Sequence, residues 1–333
     1  MARFSLGAKL IFFGLLAGAL YATVTGIRRF GPLIDFSGDS SIESFNFEDT
    51  HEEHRCINSP PPPLNPIPNV VHLIWLDNHD LTFMNYLTIR SALISLAPEK
   101  IVLHHTSLNT NNKWFLKLKD HLTLVKHNIN REYPQQVEEN WQTNHISDIL
   151  RLDILQQQGG IYLDMDVISL QPFAPLLHSE EDVVLGNAGG NRHGLGNGII
   201  LGRSGSIFIK HWRDRYKAFS KEQWNTQTIT VPKQLSRTLP DEICSLSPSA
   251  FFWPTWTKRH LEYMHKPLTE KESQEFHETL AIFSGSMHPG QMAYHSWSQM
   301  ASEYLNHLTP QKVGSEATRF NILVRRFVDW DNV

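Results

Sequence analysis

The chain has 333 residues, 41% hydrophobic and 19% charged, with 30 Lys and Arg against 34 Asp and Glu and a formal net charge of −4. That length suffices for a buried core in one large or two small domains, and it excludes a disordered tail or a disulfide miniature. The charge balance excludes a strongly basic nucleic-acid binder, and two cysteines, Cys56 and Cys244, exclude a cysteine-built zinc site while permitting one bridge.

The first predicted element is apolar. Leu10 to Ile27 is an uncharged run of 18 residues, just long enough to span a bilayer core. Arg3 and Lys9 precede it and Arg28-Arg29 end it. This predicts a cytosolic tail (1–9) and a single transmembrane anchor (10–27). A cleaved signal peptide, with small residues at Ala17 and Ala19, is the alternative. Either segment delivers the rest of the chain to a lumen or to the outside. Residues 28–66 read as a disordered acidic, Pro-rich stem. Seven acids and no Lys or Arg fall between positions 35 and 53, and Pro60 to Pro63 follow. His51-Glu52-Glu53-His54 is too short for an HExxH zinc motif and belongs to that linker. Anchor, stem and domain together predict a single-pass type II membrane protein with its large domain (67–333) in the lumen. The oxidising lumen permits a Cys56–Cys244 bridge or, alternatively, a Cys56-linked homodimer. Asn58-Ser59-Pro60 fails as a sequon, so the domain should lack N-glycans.

Strands and helices then alternate. Val70 to Leu76 reads as a buried strand, Met84 to Leu96 as a helix ending before Pro98, and Ile101 to His105 as a second strand. Leu122 to Val125 suggests a third. Such alternation predicts an α/β fold with a mostly parallel sheet and ligands beyond the carboxyl ends of its strands. Past residue 205 the pattern is more helical.

The chemistry concentrates between residues 144 and 166. Asn144 is expected to cap a helix running to Gln158, with Asp148 and Arg151 three apart on one face. Gly159-Gly160 ends that helix, and Ile161-Tyr162-Leu163 is a short strand aimed at Asp164-Met165-Asp166. Strand alternation would put both carboxylates on one side, a hard-oxygen site for Mn²⁺ or Mg²⁺ shared with a diphosphate. A bare Asp-x-Asp is weak evidence, and a solvated turn is its usual explanation. Here it follows Ser-Asp-x-x-Arg and Gly-Gly-Ile-Tyr within 20 residues.

That ordered set resembles glycosyltransferase family 32, whose sugar-binding region carries S-D-x-x-R…G-G-x-Y-x-D-x-D. Ser147, Asp148, Arg151, Gly159, Gly160, Tyr162, Asp164 and Asp166 match it. Ile67 to Trp75 looks like the family's opening strand. Phe251-Phe252-Trp253-Pro254, Tyr294-His295-Ser296-Trp297 and Thr318-Arg319-Phe320-Asn321 look like features of fungal-type members. The resemblance implies a GT-A fold, one Rossmann-like domain, and a retaining, α-linkage-forming Golgi enzyme that uses Mn²⁺ or Mg²⁺. It implies transfer of mannose from GDP-mannose, or next of galactose or N-acetylglucosamine from a UDP-sugar, to a glycan or glycolipid acceptor. Asp148 and Arg151 would serve catalysis. Ser147, Tyr162 and Asp164 would join them around the donor, and Asp164 and Asp166 would hold the metal.

Further residues have duller readings beside functional ones. His295 would reach the metal or diphosphate and Trp297 would cover the sugar, against core packing for both. Asn197 matches a family position near donor or acceptor, against a plain Gly-rich loop in a stretch without a P-loop signature. Trp75, at the end of the first strand, would stack on the nucleotide base, against a core role. A membrane-anchored protein that binds sugar nucleotide or glycan without turnover is the alternative to an enzyme. A phosphohydrolase is weaker still, because Asp164-Met165-Asp166-Val167-Ile168 lacks the Asp-x-Asp-x-Thr nucleophile pattern.

Overall fold

Alternating apolar runs and turn residues build an α/β sandwich. Its structure, a computed structural model, describes residues 65–219 and 225–332, together with residues 43, 45 and 49–53. The expected anchor and tail, most of the stem, and Cys56 lie outside the described residues. Among those described, no helix is long and apolar enough to cross a membrane.

In chain order the elements that position the site are β1 (Val70–Trp75), α1 (Phe83–Leu96), β2 (Lys100–His105), β3 (Leu122–Lys126), α2 (Thr143–Gln158), β4 (Gly160–Leu163), β5 (Val167–Ser169), β6 (Val183–Ala188), β7 (Gly194–Gly202), α3 (Ile207–Arg215), β8 (Ile243–Leu246) and β9 (Ala293–His295). Seven strands form one sheet in the order β3-β2-β1-β4-β7-β6-β8, and β5 pairs with β9 in a second. In the large sheet β7 alone runs against its neighbours, so the sheet is mostly parallel, as the sequence predicts.

The apolar runs are nearly continuous because both faces are covered. Alternate residues of β4 and β7 feed two cores. Ile161, Leu163, Ile199 and Leu201 join α1 on one face, while Tyr162 and Ile200 join α2 and α3 on the other. Helix α1 starts with a capping box in which Thr82 and Asn85 satisfy each other's backbone N–H. It stops at Ala97, in the left-handed conformation before Pro98.

Three local expectations need correction. Asn144 does not cap α2. The helix begins at Thr143, and the Asn144 side chain accepts from the N–H of His145. The Gly-rich stretch around Asn197 is strand β7, not a loop. Part of the expected stem is packed rather than free. Glu53 is buried, and its carboxylate takes Nε of Arg192 at 2.7 Å and Nη2 at 3.1 Å. That forked pairing supplies the partner a buried carboxylate needs. Cys244, on β8, is buried and disulfide-bonded.

Gly159 and Gly160 have φ of +66° and +115°. A Cβ on Gly160 would sit 2.6 Å from the Val70 carbonyl, so only glycine lets the chain turn from α2 into β4 this close to β1. His72, fully buried on β1, donates Nε2–H to the Gly159 carbonyl at 3.1 Å and fixes that turn from below. It is a scaffold residue and does not line the cleft described next.

Candidate active site

At the carboxyl end of β4 the chain makes a turn, closed by the Val167 N–H on the Asp164 carbonyl at 3.1 Å. This turn, and not strand alternation, brings Asp164 and Asp166 together. The Met165 carbonyl between them accepts from Asn85 Nδ2 at 3.0 Å and Thr88 Oγ1 at 3.1 Å, so α1 fixes the turn from one side. Strand β9 fixes the other. It pairs antiparallel with β5, setting His295 opposite Val167, and the ladder continues as Ser296 N–H donates to the Asp166 carbonyl at 3.0 Å.

His295 Nε2 consequently lies 3.5 Å from both Asp164 Oδ2 and Asp166 Oδ1. The three residues offer ligand atoms all within 4.8 Å of one another. Two carboxylate oxygens and an imidazole nitrogen suit a hard or borderline divalent cation. The supporting contacts are those a metal site uses to aim its ligands. Ser298 N–H holds Asp166 Oδ2 at 2.7 Å, and the Tyr162 hydroxyl donates to Asp164 Oδ1 at 2.6 Å. Both leave the facing oxygen for an ion. For His295 the fit needs one change. Trp297 N–H donates to Nδ1 at 3.2 Å, which puts the ring proton on Nε2. Ligation through Nε2 requires the other tautomer, with the Trp297 N–H turned away.

Beside this trio lies a buried ionic network. Arg151 Nη2 meets Asp148 Oδ1 at 3.0 Å, one turn back on α2, and Nη1 meets Asp164 Oδ1 at 3.0 Å. Nη1 also donates to the Asn197 carbonyl at 2.8 Å and Nε to the Ser147 carbonyl at 3.2 Å. Four of the five guanidinium N–H groups are therefore committed within the protein. The guanidinium also lies over the Tyr162 ring, 4.4 Å from its centroid. Asn197 Nδ2 donates to Asp148 Oδ1 at 2.8 Å. Burial pushes the Asp164 carboxyl up, but Arg151, His295 and Tyr162 outweigh it and hold it well below the usual carboxylate range. Burial likewise lowers His295, yet the Asp166 and Asp164 carboxylates prevail and raise it.

All ten residues expected from the sequence line one cleft of about 1170 Å³: Trp75, Ser147, Asp148, Arg151, Tyr162, Asp164, Asp166, Asn197, His295 and Trp297. Trp75 packs on the core yet faces the cleft, and its buried indole N–H has no hydrogen-bond partner among the described residues. Trp297 stands beside His295, with ring centroids 4.2 Å apart, and donates Nε1–H to the Pro254 carbonyl at 2.9 Å. Sequence reasoning missed Trp114, Trp256, Asn225, Thr228 and Ser298, which also line the cleft. No motif marks them, and only the tertiary fold brings them in.

The chain matches the model of the glycosyltransferase sugar-binding region containing a DXD motif over residues 65–183. It is also 32% identical, over 288 residues, to Glucan organizing enzyme 1 of Cryptococcus neoformans var. grubii serotype A. That alignment covers 80% of this chain and 74% of the fungal protein. The chain belongs to the DXD sugar-binding-region glycosyltransferases, the family 32 type. Glycosyltransferase activity follows from that membership. A shorter similarity, 32% over 91 residues, links it to Subversion of eukaryotic traffic protein A of Legionella pneumophila, covering 27% of this chain and 13% of that protein. Among solved structures, PaToxG glycosyltransferase is 19% identical with a TM-score of 0.44, over 81% of this chain and 90% of that one. The apo form of GlyE from Streptococcus pneumoniae TIGR4 is 14% identical with a TM-score of 0.46, over 79% and 61%.

Proposed function

We propose that this family member is a retaining, metal-dependent hexosyltransferase with a GT-A catalytic domain. It moves a sugar from a nucleotide-sugar donor to a hydroxyl of a glycan or glycolipid and forms an α-linkage. The observation that carries this reading is the convergence of Asp164, Asp166 and His295 beside the Asp148–Arg151–Asn197 network at the end of β4. GDP-mannose is the favoured donor, on the resemblance to fungal-type members, with UDP-galactose and UDP-N-acetylglucosamine next.

Asp164, Asp166 and His295 would hold Mn²⁺ or Mg²⁺, which when bound supplies Lewis-acid stabilisation of the departing diphosphate. The chain's own residues do the rest. Arg151, its donors largely committed, is a positioning residue that fixes Asp148, Asp164 and the Asn197 backbone in one arrangement. The Asp148 carboxylate orients the donor sugar through its hydroxyls. The Trp75 ring stacks on the nucleotide base, and Trp297 closes over the sugar. Retention then calls for front-face attack by the acceptor hydroxyl, whose proton passes to the leaving phosphate oxygen. No pair of carboxylates in this arrangement takes the roles of a hydrolase acid and base.

A non-catalytic sugar-nucleotide binder is the second reading. It does not need Asp148, Arg151, Asp164 and Asp166 all intact and mutually braced. Incubating the protein with Mn²⁺ and a panel of nucleotide sugars, and measuring released nucleoside diphosphate, separates the two. Turnover of one donor above the rest, lost with a chelator, is expected. Tight binding of a nucleotide sugar without release would favour the binder.

A further inference from the structure

The cleft is larger than the roughly 300–1,000 Å³ of an ordinary single-ligand site, and Asp164, Asp166 and His295 are part of its lining. In the large sheet β4 lies between β1 and β7. On the β1 side, where parallel strands end, the wall is Trp75, Phe83, Lys113 and Trp114. Nucleotides bind α/β sheets beyond such parallel carboxyl ends, which leaves the β7-side wall beyond Asn197 and Trp297 without an assigned ligand.

That second wall has a distinct chemistry. His193, on the turn between β6 and β7, stands against Trp256, with ring centroids 6.0 Å apart. Trp256 in turn meets Trp297 edge-on, with ring centroids 5.1 Å apart and an interplanar angle of 66°. Asn225, Thr228, Ile229 and Thr230 complete the wall. It therefore combines an aromatic surface and an aliphatic side chain with amides and hydroxyls. Among the described residues that line it there is no lysine or arginine, and two neighbouring cations are engaged elsewhere. Arg192 is forked onto Glu53, and Lys233 Nζ donates to Asn187 Oδ1 at 2.6 Å. Neither residue lines the cleft. Burial also lowers His193, keeping that ring neutral near pH 7.

We infer that the β7-side wall is the acceptor subsite, that Trp256 is its platform, and that it selects a neutral saccharide over a phosphorylated one. This rests on the glycosyltransferase reading above. A pyranose has one apolar C–H face and a rim of hydroxyls. Laid on Trp256, it buries that face against the indole while the rim meets the neutral donors and acceptors. An acceptor phosphate would enter a wall with no lysine or arginine among its described residues to receive it, and would bear the desolvation cost there uncompensated.

The test uses the full enzyme with whichever nucleotide sugar it hydrolyses. Methyl α-glycosides of mannose, glucose and galactose are compared with the same sugars as 1-phosphates, which leave every other hydroxyl free. Neutral glycosides are expected to stimulate nucleoside diphosphate release and the 1-phosphates not to. Trp256→Ala should raise the acceptor KM about tenfold with kcat within about threefold. Trp256→Phe should recover most of the loss. Calorimetry on Trp256→Ala should find Mn²⁺-dependent nucleoside diphosphate binding within about twofold of the parent. The inference is overturned if the 1-phosphates are the better acceptors, or if no neutral glycoside stimulates release. An unchanged acceptor KM in Trp256→Ala, or a loss of nucleoside diphosphate binding as large as the loss for acceptor, overturns it as well. Absence of any donor turnover by the parent enzyme would instead remove the glycosyltransferase reading, and this inference with it.

Discussion

Asp148 and Asp164 are both bound to Arg151, yet they face different tasks. Asp164 Oδ2 points at His295, into the trio of ligand atoms. Asp148 Oδ1 is shared between Arg151 and Asn197, away from the trio. Replacing Asp148 with Asn should therefore leave Mn²⁺-dependent nucleoside diphosphate binding within about twofold while sugar transfer falls by about two to three orders of magnitude. Calorimetry and a transfer assay on the same preparation check this. Arg151 keeps its Asp164 partner in that variant, so the fold should survive. An equal fall in both measurements would place Asp148 in the metal site instead.

Among the elements, β7 shows how backbone geometry sets the chemistry. Gly198 lies where β7 passes β4, and its carbonyl accepts the Asp164 N–H at 2.8 Å. A Cβ there would stand 2.8 Å from Asp164 Oδ2 and 2.9 Å from the His295 ring. Gly198→Ala adds no charge and touches no ligand chemically, yet it must push two ligands apart. It should weaken Mn²⁺-dependent nucleoside diphosphate binding at least about tenfold, read by calorimetry. Unaltered binding would mean that the trio has more freedom than its contacts indicate. Much of the fold was legible because β1, α1, β2 and α2 have long, regular patterns with clear stops at Pro98 and Gly159. The Asp148–Arg151 pair was legible because a spacing of three fixes a helix face. The Asp-x-Asp geometry was not, since a turn has no periodicity and here depends on Asn85 and Thr88 holding the Met165 carbonyl. His295 had to be brought about 130 residues along the chain by the β5–β9 pairing. Residue spacing carries no signal of that contact. Glu53 looked like one more acid of a solvated stem because its partner Arg192 lies 139 residues away.

For the whole molecule, buried histidines set the response to acid. Burial lowers His72, His260, His265 and His288 to about 4 and His104 to about 3. A histidine whose folded pKa lies below its unfolded value of 6.5 is neutral in the fold while the unfolded chain takes up a proton. Stability is thus whole above about pH 6.5 and is lost as pH falls towards 4. His265 isolates the effect. It stacks on Tyr304 with centroids 4.7 Å apart, and its Nε2 is buried with no hydrogen-bond partner among the described residues. His265→Phe keeps the ring and removes the proton, so it should flatten the fall in stability between pH 6.5 and 4 by up to about 3 kcal/mol. Denaturant unfolding at a series of pH values measures this. A parallel curve for parent and variant would contradict it.

The proposed transferase needs Asp164, Asp166 and His295 to hold the ion against a donor diphosphate. Asp166→Asn tests it most directly, because the substitution keeps size and shape, and its Oδ1 can still face His295. Titration of the nucleoside diphosphate in the presence of Mn²⁺ should show affinity at least about tenfold below the parent, and donor turnover should fall by about two orders of magnitude or more. Parental affinity and parental turnover in Asp166→Asn would contradict the account.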